Sequence, residues 1–102
     1  MALEENKHEH LNTLGIALCR NAQYDEAISV LERSLALSVD DGVSLDLLFL
    51  ALAHAGKGDT KTAHDYYTKA RAWYETRGRG LSATWRDEFS RLSTEVRTAI
   101  EP

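Results

Sequence analysis

The chain is 102 residues long, 43% hydrophobic and 27% charged, with a net charge of −4. That length makes a single domain with a modest core of its own. Six glycines and one proline argue against a loop-rich all-β fold, the lone Cys19 excludes an internal disulfide, and no run nears the roughly 18 apolar residues a membrane helix needs.

Helical periodicity organises the chain from its start. The first helix is expected from about Leu3 to Arg20, with Leu11, Leu14, Ile16 and Leu18 facing inward. Asn21-Ala22-Gln23-Tyr24 forms a turn, and Asp25 and Glu26 then open a second helix, where acids suit the positive end of the helix dipole. That helix carries Ala27, Ile28, Leu31 and Leu35 to about Ser38. Asp40-Asp41-Gly42 breaks it, and Asp41 or Ser44 serves as N-cap of a third helix that ends at Gly56. Gly56-Lys57-Gly58-Asp59-Thr60 is the second turn. The fourth helix runs from about Thr60 to Thr76, with Ala63, Tyr66, Tyr67, Ala70 and Trp73. After the break at Arg77-Gly78-Arg79-Gly80, a fifth helix from about Ser82 to Ile100 places Trp85, Phe89, Leu92, Val96 and Ile100 on one stripe.

Charge is distributed unevenly along this order. Residues 1–46 hold nine acids against three bases, a balance of −6, and residues 47–102 hold seven acids against nine bases, a balance of +2. The plain reading is a solvated surface. The sharper one is a preference for an acidic partner at the C-terminal end, or head-to-tail contact between copies.

Two stretches repeat one pattern 36 residues apart: Leu11, Leu14, Gly15, Leu18, Ala27, Leu31, Ser34, and Leu47, Leu50, Ala51, His54, Ala63, Tyr67, Ala70. With Tyr24 and Gly58 at the turns, the chain resembles the tetratricopeptide repeat family. The small residues let the paired helices cross closely, Gly15 against Ala27 and Ala51 against Ala63. The copies depart from the family pattern in three ways. Their spacing exceeds the usual 34 residues; Val39 and Glu75 stand where a proline is common; His54 replaces a large apolar or aromatic residue.

The resemblance implies an all-α fold, a right-handed superhelix of antiparallel helix pairs in one domain over residues 1–102. Repeat one spans about 8–41, repeat two about 44–77, and a capping helix about 82–100. It also implies a protein-interaction function, because stacked repeats build extended surfaces rather than catalytic pockets. The first helix of each pair lines a concave groove. In repeat one the groove positions are Glu9, Asn12, Thr13, Ile16, Cys19 and Arg20; in repeat two they are Leu45, Leu48, Phe49, Leu52 and Ala55. The partner-binding set is therefore Leu45, Leu48, Phe49 and Leu52 as an apolar anchor, with Asn12, Ile16 and Arg20 beside it. A third helix that is apolar nearly all round must be covered. Three covers are open: the fifth helix folded back into the groove, a second copy of the chain in a homodimer, or a helix or peptide of a partner protein. A clamp for a chaperone-tail carboxylate is missing, since of Asn12, Ile16, Leu48 and Phe49 only Asn12 has a suitable side chain.

Catalytic and cofactor signals are weak. His8 and His10 lie two apart on a helix and so point to different sides. His54 and His64 lie on adjacent helices but lack a third ligand, so no metal site is expected. Gly78-Arg79-Gly80 has no flanking strand and helix to make a phosphate loop. The expectation is a protein with no enzyme activity and no cofactor. Trp73, Trp85 and the late arginines would suit nucleic acid, but the negative net charge and the core spacing of both tryptophans argue against it. The polar, acidic Met1–His10 stretch is no secretory signal, and with the single cysteine it indicates a cytoplasmic protein without a membrane association.

Overall fold

The computed structural model describes residues 8–37, 42–77 and 83–100. They form five helices: α1 (His8–Arg20), α2 (Tyr24–Leu37), α3 (Gly42–Gly56), α4 (Thr60–Arg77) and α5 (Ala83–Ile100). Residues 3–7, expected in the first helix, lie outside the described residues, as does Asp41. Ser44, the other N-cap candidate, sits inside α3 rather than before it, because that helix already begins at Gly42.

The two turns are built alike, 36 residues apart. At the end of α1 the Gln23 N–H donates to the Leu18 carbonyl (2.9 Å) and the Ala22 N–H to Cys19 (3.1 Å), with Ala22 left-handed at φ 61°. At the end of α3 the Asp59 N–H donates to His54 (2.9 Å) and the Gly58 N–H to Ala55 (3.0 Å), with Gly58 at φ 91°. This paired closure satisfies the last carbonyls of each helix and reverses the chain. Asp59 then caps α4 by accepting from the Thr62 N–H (3.3 Å). Thr62 also holds the Asp59 carboxyl below the ordinary carboxylate range.

Tight reversals of this type make antiparallel pairs, α1 with α2 and α3 with α4, and α2 packs on α3 to join them. The small residues sit at the crossings: Ala27, Ser34, Ala51, Ala63 and Ala70 are all fully buried. The nearest neighbour of Gly15 is Leu31 rather than the expected Ala27, for a Cβ there would stand 2.5 Å from Leu31 Cδ2. Gly56 abuts the ring of Tyr24, which explains why a glycine ends α3.

Helix α3 is the centre of the molecule. Leu48, Leu50, Ala51 and Ala53 have no exposed surface, and α3 touches all four other helices. Leu11 is buried as expected, but Leu14 is 49% exposed because it lies on a side of α1 that no described helix covers. On α5, Phe89, Leu92 and Val96 are buried and Ile100 packs partly against the core. The Trp85 side chain lies outside the described residues.

Candidate protein-binding groove

Helix α5 packs on α3, the helix expected to line the groove in repeat two. Rather than lying chiefly on α4, the helix before it, α5 packs mainly on α3. Leu48 is fully buried and Phe49 is 6% exposed; Leu45 and Leu52 are half-buried against the same core. Phe49 and Leu92 share the walls of a surface cavity of about 330 Å³ with Arg20, Glu88, Arg91 and Glu95. Of the three covers open to the sequence, the chain's own last helix is seen packed on α3.

Helix α5 also reaches α1. Both guanidinium nitrogens of Arg20 donate to the Glu95 carboxylate, one to Oε2 and the other, Nη2, to Oε1 at 3.1 Å. The same guanidinium lies 5.4 Å from the centroid of the Phe49 ring. Glu95 raises the Arg20 pKa above its ordinary value, chiefly through this hydrogen bond. The neighbouring Cys19 is buried, and desolvation pushes its thiol up, with Glu95 adding to the rise and Arg20 opposing it. A buried cysteine of this kind packs as a small apolar group.

Asn12 is committed elsewhere. Its Nδ2 donates to Asp46 Oδ1 (2.5 Å), and the Ser34 hydroxyl donates to Asp46 Oδ2 (2.9 Å). Asp46 is fully buried. A buried carboxylate is tolerated only when it is hydrogen-bonded, so these bonds tie α1, α2 and α3 in one register. Ile16 is half-buried against the core. Of the seven expected partner-binding residues, Leu48 and Phe49 are buried, Asn12 bonds to Asp46 and Arg20 pairs with Glu95, so several are already engaged within the chain.

Sequence reasoning missed Asp46 and Glu95. Asp46 left a signal, as the single acidic residue between Gly42 and Gly56. Glu95 left none, being one charge among many on the polar face of α5.

The two histidines on adjacent helices, His54 and His64, are engaged separately. His54 stacks on Tyr66 at 5.4 Å, with its Nδ1 3.7 Å from Asp59, and His64 lies beside the Thr68 hydroxyl. Among the described residues no three His, Cys, Asp or Glu side chains gather as metal ligands. No helix among them is long and apolar enough to cross a membrane.

Duplicated helix pairs and matching turns define a helical-repeat protein of the superhelical class. A model of the tetratricopeptide repeat family matches residues 7–76, and the chain belongs to that family. Tetratricopeptide repeat domains generally mediate protein–protein interactions and are non-catalytic modules. No curated protein and no solved structure matches the chain.

Proposed function

We propose that this chain is a non-enzymatic, cytoplasmic protein-interaction module that takes a helix or peptide of a partner protein on its concave side. Leu45, Leu48, Phe49 and Leu52 form the anchor, and Asn12, Ile16 and Arg20 flank it. The observation that carries this reading is the seating of α5 on α3: the face accepts an amphipathic helix with an apolar stripe such as Phe89, Leu92 and Val96. A partner helix of the same pattern would take that seat by displacing α5, which acts as a tethered competitor. An effective concentration in the millimolar range sets the competition it must win.

A synthetic peptide of residues 83–100 added to the 102-residue chain tests this. A Leu92→Asp chain, whose own α5 is weakened, is expected to bind the peptide at least tenfold more tightly than wild type. Phe49→Lys in that background is expected to remove the binding. Absence of binding by a Leu92→Asp chain with native helical content overturns the proposal. The second reading, a homo-oligomer in which α5 of one copy fills the groove of another, rests on the same seat. It is supported if light scattering shows the wild-type mass doubling with concentration.

A further inference from the structure

Because α5 leans onto α3, it leaves the flank of α4 partly open. The two helices meet at the Tyr74–Phe89 stack (centroids 4.2 Å apart) and at a bond from the Ser93 hydroxyl to the Tyr67 oxygen (3.3 Å). Beside these contacts lies a cleft of about 390 Å³, and Tyr67, Arg71, Glu75 and Arg97 line both it and an adjoining hollow of about 490 Å³. The aromatic rings give this cleft an apolar wall. Its rim is cationic: the Arg71 guanidinium lies 5.9 Å from the centroid of the Tyr67 ring, and Arg97 has no ionic partner among the described residues.

We propose that this α4–α5 cleft is a second binding site, which takes a glutamate side chain of an acidic protein segment. The apolar wall suits the methylene stem and the two guanidiniums suit the carboxylate, which they can hold by charge-assisted hydrogen bonds. The Tyr67 hydroxyl accepts from Ser93, so its own proton is available as a third donor. Glu75 opposes this charge only weakly: it sits on the rim, 70% exposed, at 3.8 Å from Arg71. The +2 balance of residues 47–102 favours an acidic partner at this end of the molecule. This cleft and the cavity beside Phe49 are lined by different residues of α5, and the cleft exists only while α5 is seated, so a partner helix that displaced α5 would remove it.

The probe is a synthetic peptide of three Glu-Leu-Glu-Glu units, titrated into the isotopically labelled full chain and followed by amide chemical shifts. Shifts are expected at Tyr67, Arg71, Ser93 and Arg97, with binding weakened at least tenfold in an Arg71→Gln/Arg97→Gln chain of unchanged helical content and abolished for the Gln-Leu-Gln-Gln peptide. Shifts confined to α1 and α3, an unaffected double variant, or no binding at all overturns the assignment. Displacement of the peptide by an oligothymidylate of equal charge also overturns it, by showing a general polyanion surface.

Discussion

If α5 is a helix docked on a finished pair of repeats, weakening its stripe should open α5 alone. Leu92→Ala is the cleanest perturbation, because the residue is 4% exposed and removes no polar group. Large-to-small changes in a core cost about 2–5 kcal/mol, and the cost falls where the site can relax. Leu92 borders the 330 Å³ surface cavity shared with Arg20 and Phe49, so relaxation is easy and the low end applies, about 2–3 kcal/mol. The full stripe of Phe89, Leu92 and Val96 contributes at most about 5–9 kcal/mol, far more than the about 1 kcal/mol or less expected of the half-exposed Arg20–Glu95 pair. Apolar burial therefore decides whether α5 stays down. Amide hydrogen exchange reads the outcome directly: α5 amides are expected to exchange about 30- to 150-fold faster in the variant, while α2 and α4 change little. Unchanged exchange in α5 would show that Leu92 does not hold it. Equal acceleration in every helix would show one cooperative unit and refute the picture of a separately docked helix.

Three further outcomes follow from particular contacts. Gly15→Ala places a methyl 2.5 Å from the side chain of the fully buried Leu31. Overpacking of about 1–3 kcal/mol is expected to outweigh the roughly 1 kcal/mol gain in helix propensity and lower the melting temperature, and a Leu31→Val background should reduce the loss. Both ring nitrogens of His54 are buried without a hydrogen-bond partner among the described residues, while the ring stacks on Tyr66. His54→Phe keeps the stack and removes the unsatisfied groups, so chemical denaturation should show a gain of about 1 kcal/mol. The equivalent turn positions Ala22 and Gly58 are both left-handed, with open space around Gly58. Gly58→Ala is therefore expected to lower stability by about 1 kcal/mol from backbone strain alone, and Ala22→Gly to leave it unchanged or slightly raise it.

The helices and their pairing were legible in the sequence because they follow from local rules. Apolar spacing at Leu11, Ala27, Leu31 and their counterparts at Leu47, Ala63 and Tyr67 sets which faces turn inward, and turn residues set the reversals. The family followed from the same positions. The all-apolar character of α3 likewise showed that a cover was required. Which cover is present could not be read from spacing, because the α5 stripe fits the end of the stack as well as the groove. Where α5 sits belongs to the tertiary structure: it packs on α3, where Phe49 and Leu92 border one cavity, and is held again by the Arg20–Glu95 pair, a contact between residues 75 apart in the chain. Tertiary structure also turned Asn12 from a groove residue into a partner of the buried Asp46, since a carboxylate inside a core must find donors wherever the fold brings them. Local periodicity thus determined the elements and their family, while long-range packing decided where α5 sits.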